Sequence, residues 1–327
     1  MADVWAASKE TAPDLILYHP KALGAPDFAE KLGVPCMLAF WLPMYVPTTK
    51  FPAMGFPELP LGPEYRRLTY QLIRRILLMM SKRVSKWRKQ NGLDPRSPGF
   101  KMRLPDGRPI PALHGFSRHI IPRPEDWPDT SIVTGFWFLN QAEDWNPPRS
   151  LTEFLSRGEP PVYFGFGSIF GRDPKRVTQI ILEAIRRTGV RAILARGWGG
   201  LEPGDSAESV MVIEAAPHSW LFPQVNAVVH HGGCGTTAAG LLAGKPSIIC
   251  PFFGDQPFWG RHVERLRVGP SPIPQKRLTV ESLSYALETV MNDATMRENA
   301  AVLGRRLRKE NGTSNAVAFI TQWVNDK

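Results

Sequence analysis

Residues 226–256 read NAVVHHGGCGTTAAGLLAGKPSIICPFFGDQ, and the pattern inside them decides the fold. Ala227-Val228-Val229 is a short apolar run of strand length. A glycine-dense turn follows, His230-His231-Gly232-Gly233-Cys234-Gly235. Thr236-Thr237 stands where a helix is expected to begin, ahead of the small apolar run Ala238-Ala239-Gly240-Leu241-Leu242-Ala243. Gly244-Lys245-Pro246 closes that helix, and Ser247-Ile248-Ile249-Cys250-Pro251 reads as the next strand.

A glycine-rich turn from strand to helix lets the backbone come close to a ligand. The unpaired N–H groups of the first helical turn attract an anion. Threonine hydroxyls there can cap the helix or donate to phosphate, and His231 adds a further donor. The stretch therefore reads first as a diphosphate site.

Working outward, Pro161 to Ile169 is a strand running into the glycine turn Gly165-Phe166-Gly167-Ser168. Asp173 is placed to cap the next helix, with Pro174 at its first position. Residues 191–195 and 210–214 are further strands, and Trp220-Leu221-Phe222 a short helical turn. Strands alternating with helices predict a doubly wound parallel sheet, whose ligands bind beyond the carboxyl ends of the strands. Gly165 to Ser168, Trp198, His218, His231 to Thr237 and Asp255-Gln256 all follow strands closely, so they are expected at one edge. His230 and His231 point to opposite sides of an extended chain, so His231 is taken for the site and His230 for the core. An Asp255 carboxylate beside a Gln256 amide suits bidentate binding of sugar hydroxyls.

Upstream, Asp14 to Tyr18, Ala25 to Leu32 and Val34 to Phe40 form one strand–helix–strand unit. A proline- and aromatic-rich loop spans 43–63, and a helix runs from Glu64 to Asn91. Its apolar stripe is Leu68, Leu72, Ile76, Met80, Val84 and Trp87, with an almost wholly cationic opposite face. The stripe is expected to pack on the sheet, although the same pattern also suits an anionic membrane surface. His119 to Ile121 and Ile132 to Gly135 read as short strands, and 144–149 as an interdomain linker.

Composition sets limits. A chain of 327 residues has room for two domains, and 43% hydrophobic with 21% charged content is that of a soluble globular protein. Cys36, Cys234 and Cys250 form no paired spacing, so neither a disulfide framework nor a zinc site is expected, and no metal is assigned. No secretory signal is read and no apolar run approaches membrane-spanning length, so a cytoplasmic setting, at most peripheral to membranes, is expected. The net charge of +10 meets no recognition-helix, RRM or zinc-finger pattern, so nucleic acid is not a partner. Gly165-Phe166-Gly167-Ser168 lacks the third glycine and the distal acid of a dinucleotide fingerprint, and there is no GxxxxGK[ST]. His230-His231-Gly232-Gly233 has no GxSxG elbow to serve as an esterase.

The run from His230 to Gln256, followed by Pro257-Phe258-Trp259-Gly260-Arg261, resembles the donor-site signature of family 1 GT-B glycosyltransferases. It is most similar to that of sterol 3-beta-glucosyltransferases. Phe164 to Ser168, Ala216 to Pro223, Pro272-Ile273-Pro274, Asp14 to Leu42 and Gly135 to Leu139 extend the resemblance over nearly the whole chain. It implies two Rossmann-like doubly wound α/β domains, the first incomplete: an acceptor-side domain over 1–145, a linker over 146–160 and a donor-binding domain over 161–310. A last helix over 311–327 is expected to return to the first domain.

The resemblance also implies roles. Gly167, Ser168, His231, Gly233, Gly235, Thr236 and Thr237 would hold the UDP phosphates. Trp198 and the segment Ala216 to Trp220, with His218, would frame the uracil and ribose. Asp255 and Gln256 would hold glucose hydroxyls. The reaction would be an inverting transfer of hexose from a UDP-sugar, with UDP-glucose as donor substrate and no cofactor, to a hydroxyl of a sterol or similar lipophilic acceptor. The loops 40–63 and 98–138 would shape an apolar acceptor cleft, and the basic helix 64–91 would give peripheral membrane contact. Such enzymes carry the acceptor-activating base on an N-terminal glycine-rich loop. That loop is expected upstream of Met1, so no catalytic residue is assigned, and His19, where the family more often has asparagine, is not promoted to base. The alternative is a non-catalytic nucleotide-sugar or lipid-binding protein.

Overall fold

The computed structural model describes residues 1–79, 81–139, 145–166, 173–196 and 208–325. The chain forms two units: Met1–Phe138 together with the segment beginning at Glu310, and Leu139–Lys309. Elements are numbered along the chain.

The first unit opens with α1 (Ala2–Glu10), β1 (Ile16–Tyr18), α2 (Ala25–Leu32) and β2 (Cys36–Phe40). Then come α3 (Gly62–Met79), α4 (Ser81–Gln90), β3 (Ala112–His114) and β4 (Ser131–Val133). The four strands form a parallel sheet in the order β1-β2-β3-β4. Gly33 ends α2 in the left-handed region, where lacking a Cβ costs least. The residues expected as a strand at His119 to Ile121 make a turn instead. The Ser117 carbonyl accepts from the Ile120 and Ile121 N–H groups, and Ser117 Oγ accepts from His119. The strand lies earlier, at Ala112–His114, where pairing with β2 and β4 outweighs the prolines nearby.

The expected helix from Glu64 to Asn91 appears as α3 and α4, with Met80 outside the described residues. Its packing differs from expectation. The sheet side of α3 buries Thr69 and Tyr70, whereas Leu68 and Ile76 of the predicted stripe are exposed. Arg88, read as part of the cationic face, is 1% exposed. Its guanidinium donates to Asp27 Oδ1 at 2.7 Å and to both Glu30 oxygens at 2.6 and 3.1 Å, tying α4 to α2. Burial raises the Asp27 carboxyl, and the guanidinium opposes that rise.

The long loop after β2 is held both by α3, where Arg66 donates to the Thr49 carbonyl and Thr69 Oγ1 accepts from Ala53 N, and by Asp126 and Trp127. Asp126 accepts from Thr48 Oγ1 at 2.6 Å, Thr49 N at 2.7 Å and Thr49 Oγ1 at 2.8 Å. Trp127 Nε1 donates to the Val46 carbonyl.

The second unit contains α5 (Arg149–Ser156), β5 (Val162–Gly165), α6 (Pro174–Thr188), β6 (Ala192–Ala195) and β7 (Val210–Ile213). It continues with α7 (His218–Leu221), β8 (Ala227–His230), α8 (Cys234–Leu242), β9 (Ser247–Ile249), α9 (Gln256–Arg265), α10 (Val280–Asn292) and α11 (Ala294–Leu307). Five parallel strands lie in the order β7-β6-β5-β8-β9. The stretch 146–160, expected as a linker, carries α5, whose Leu151 is buried in this unit's core. An apolar i, i+3 and i+4 face at Leu151, Phe154 and Leu155 is what the proline-rich reading overlooked.

Strand periodicity explains the unbroken apolar runs. Phe164, Leu194 and Val229 face a layer containing Ile181 and Leu283, while Tyr163, Ile193 and Val228 face one containing Leu221 and Phe222. Both faces are covered, so every residue of β5, β6 and β8 is buried. Each large apolar side chain so placed contributes about 1.5–3 kcal/mol. As expected, Asp173 caps α6 by accepting from Arg176 N at 3.0 Å.

The last helix, α12 (Gly312–Asn325), belongs to the first unit. Ala316, Phe319, Ile320 and Trp323 pack on Met37 and Leu113 of that unit's sheet. A Cβ on Gly312 would lie 2.2 Å from the Phe136 carbonyl oxygen, so only glycine lets the helix approach this closely.

Candidate functional site

The sheet of the second unit reverses direction between β5 and β8: from β5 it grows through β6 to β7, then resumes on the other side with β8 and β9. Such a reversal leaves a crevice beyond the carboxyl ends of the two central strands. Gly165 ends β5 and His230 ends β8, in register with each other. The two strand ends therefore lie side by side.

After β8 the chain turns through Gly232 at φ +91°. A Cβ there would meet Ile249 Cγ2 at 2.6 Å and the Gln256 carbonyl oxygen at 3.1 Å. The glycine thus brings the start of α9 against the turn. Helix α8 begins at Cys234 with Gly233 as its cap, two residues earlier than expected, and no side chain caps it. Its first internal bond runs from Thr237 N to the Gly233 carbonyl at 2.9 Å. The N–H groups of Cys234, Gly235 and Thr236 are the orphan donors of the first turn, and no hydrogen bond engages them among the described residues. A Cβ on Gly235 would meet no atom of the described residues within 4 Å.

The two threonines separate in role. Thr237 is wholly buried and its hydroxyl donates back to the Gly233 carbonyl at 2.9 Å, so it serves the helix. Thr236 is half-buried at the open end, where its hydroxyl can reach a ligand.

The two histidines divide as the alternation predicts. His230 is fully buried, and its Nδ1 accepts from Gly232 N at 3.1 Å, which bends the turn. Burial holds it well below the ordinary imidazole range. His231 is 9% exposed, its ring nearly perpendicular to that of His230, and its Nδ1 is buried without a partner. Burial lowers its pKa, and the Asp255 carboxylate works against that. The imidazole is therefore held toward its neutral form, which keeps one N–H to donate.

Asp255 caps α9 by position alone, since its carboxylate instead accepts from Trp259 Nε1 at 3.2 Å. Its field also raises the Cys234 thiol, after burial, which puts Asp255 beside the first turn of α8. Gln256 is buried, and its Oε1 accepts from Phe252 N at 2.6 Å and Phe253 N at 3.2 Å. One end of this amide is thus occupied in shaping the loop, and its NH2 is the end left for a ligand.

His218 opens α7, stacked on Phe222 at 4.3 Å with Tyr163 edge-on, and burial pushes its pKa down to about 4. Gly167, Ser168 and Trp198 lie outside the described residues. Among the described residues no group of histidine, cysteine, aspartate and glutamate side chains is placed to hold a metal ion.

The first unit holds an apolar cavity of about 120 Å³ beyond the ends of β1 and β2, open to solvent on one side. Tyr18, Leu38, Tyr45, Ile73, Leu77 and Phe100 line it. Tyr70, Arg74 and Lys101 also stand in its wall, and the Tyr70 hydroxyl is buried without a hydrogen-bond partner. The sequence reading missed Tyr70 because it chose the other helical stripe of α3; the spacing Tyr70, Ile73, Leu77 was the available signal. His19, at the end of β1, accepts from Lys21 N through Nδ1 and packs on Phe40 and Trp41.

Residues 203–318 match the family described as erythromycin biosynthesis protein CIII-like, C-terminal domain. The chain is 38% identical over 335 residues to a sterol 3-beta-glucosyltransferase of Emericella nidulans, covering 98% of this chain and 23% of that one. It is 38% identical over 310 residues to a sterol 3-beta-glucosyltransferase of Arabidopsis thaliana, covering 93% of this chain and 47% of that one. The chain thus spans less than half the length of these relatives. Among solved structures, the kitacinnamycin glycotransferase matches with TM-score 0.72 at 22% identity, over 98% of this chain and 78% of that one. The calicheamicin glycosyltransferase CalG4 matches with TM-score 0.71 at 18% identity, over 99% and 78%. The chain is thus a homologue of these sterol 3-beta-glucosyltransferases over its own length, and its fold is that of the GT-B glycosyltransferases.

Proposed function

We propose that the chain transfers glucose, or a closely related hexose, from a UDP-sugar to a hydroxyl of a sterol or similar lipophilic acceptor, with inversion at the anomeric carbon. The observation that carries this reading is the open first turn of α8 at the strand-order reversal, with His231 beside it. As the sugar–phosphate bond breaks, negative charge gathers on the departing diphosphate. Three orphan N–H groups, the positive end of the helix and the His231 imidazole meet that charge, so this reading calls for no metal and no cofactor. Asp255 and the Gln256 NH2 would orient the hexose. Gly167, Ser168 and Trp198 would complete the UDP contacts, and His218 would frame the nucleoside.

The acceptor class is supported by the largely apolar wall of the cavity, where Leu23, Leu38, Ile73, Leu77 and Phe100 suit a rigid hydrocarbon. Such an acceptor resides in membranes, so peripheral contact through helix 64–91 at the cytoplasmic side belongs to the same reading. The test is titration of the purified chain with UDP-glucose, followed by an assay of UDP release with a detergent-dispersed sterol. Binding with turnover is expected. Binding without turnover would favour a nucleotide-sugar-binding protein, and no binding would remove the donor site.

A further inference from the structure

Helix α3 presents two apolar faces, and the protein covers only one. Inward, Thr69 and Tyr70 are buried while Ile73 and Leu77 line the cavity. Outward, Leu68, Ile76 and Met79 are 48%, 50% and 73% exposed, and Leu61, just before the helix, is 62% exposed. At 100° per residue Leu68, Leu72, Ile76 and Met79 fall within an arc of about 80°, so they form one continuous stripe. A row of large apolar side chains in water marks a surface that something else covers.

The surrounding charge says what. From Gly62 to Gln90 the sequence holds nine lysines and arginines against one acid, Glu64. Arg67 pairs with that glutamate, whereas Arg75, Lys82 and Arg83 are exposed with no ion pair among the described residues. Beyond Met79 the stripe runs into a groove that Lys82 and Arg83 share with Lys21, Met1 and Val4. A second copy of the chain would bring the same cations face to face, which is repulsive.

We propose that the outward stripe of α3 docks this protein on an anionic lipid bilayer. Leu68, Leu72, Ile76 and Met79 enter the acyl boundary, and the flanking arginines and lysines meet the acidic headgroups. The inner face of the same helix lines the apolar cavity, so a lipid leaving the bilayer has one helix width, ~10 Å, to cross. The docking surface deepens the proposed function, and that last step alone rests on it.

The test is cosedimentation with vesicles of phosphatidylcholine, alone or mixed with phosphatidylserine. The unmodified protein is expected to bind the mixed vesicles, to release in high salt and to ignore phosphatidylcholine alone. Leu68→Ser with Ile76→Ser and Met79→Ser should abolish binding. Arg75→Glu with Arg83→Glu should weaken it roughly thirtyfold or more, since each cation near such a surface contributes about 1 kcal/mol. Both variants change exposed positions, and each should keep its helix content by circular dichroism and its UDP-glucose affinity. Failure of the unmodified protein to bind mixed vesicles, or unchanged binding in either variant, overturns the proposal. So does a self-associating protein that the serine variant turns into a monomer without any vesicle binding, which would make a second copy the occupant. Vesicle binding as expected beside absent UDP-glucose binding would sink the functional reading and leave the docking surface standing.

Discussion

Gly165 of β5 and His230 of β8 are register partners at the place where the strand order turns back on itself. The place of His231 and of the first turn of α8 follows from that pairing, whereas Asp255 and Gln256 are placed by α9. The pairing sets the end of β8, from which the chain passes into α8, beside the end of β5.

Replacing His231 with alanine removes a neutral donor from beside the diphosphate position. UDP-glucose affinity is expected to fall by about 1.5–3 kcal/mol, the scale of a hydrogen bond to a charged group. Calorimetric titration reads this directly, and an unchanged affinity would make His231 a core residue.

Two glycines of the same turn should respond in opposite ways. Gly232→Ala adds a Cβ at φ +91°, 2.6 Å from Ile249, and is expected to cost about 1–3 kcal/mol of stability. Gly235→Ala meets no atom of the described residues and should leave stability equal or slightly higher. Its methyl would project where the ligand sits, so a tenfold or larger loss of UDP-glucose affinity is expected. Urea midpoints and titration together separate the pair, and a destabilised Gly235→Ala would contradict the lack of close neighbours there among the described residues.

Arg88→Met leaves the Asp27 carboxylate, 1% exposed, without its buried partner. An uncompensated buried charge costs about 3–5 kcal/mol. Adding Asp27→Leu should recover much of that loss in the urea midpoint, and a double variant no better than the single one would show that the cost is lost packing.

His114 is fully buried against Trp127, and burial, with Arg123 nearby, holds its pKa at about 3. Its folded pKa is below the unfolded value of about 6.5, so the unfolded chain binds the extra proton. Its contribution is therefore complete above about pH 6.5 and declines as the pH falls toward the folded value, by up to ~1.4 kcal/mol per unit. His114→Phe should flatten that acid limb of stability against pH. A limb of unchanged slope would assign the acid lability to other groups, of which buried His230 and His218 have the same sign.

The second unit was legible in the sequence because its signals are local. Burial on both faces of β5, β6 and β8 gives unbroken apolar runs, and Asp173-Pro174 carries its own helix-start signal. The site's finer division was less so: nothing local says that Thr237 turns inward while Thr236 stays at the open end. The first unit hid more, for two physical reasons. Helix α3 carries two stripes of the same period, and only the tertiary structure selects Tyr70, Ile73 and Leu77 as the inner one. Arg88 looked solvated because its partners Asp27 and Glu30 lie some 60 residues away in the chain. The strand at Ala112–His114 is likewise a product of its neighbours, not of its own three residues.

The return of α12 to the first unit makes the second unit an insertion within it. During synthesis the five-stranded sheet can be complete while Met37 and Leu113 still wait for Ala316, Phe319 and Ile320 to emerge. The half of the molecule made first is thus finished last. A force pulling on the two chain ends would be borne first by the four-stranded unit, and the sheet that carries the α8 turn would feel it only after α12 had come away.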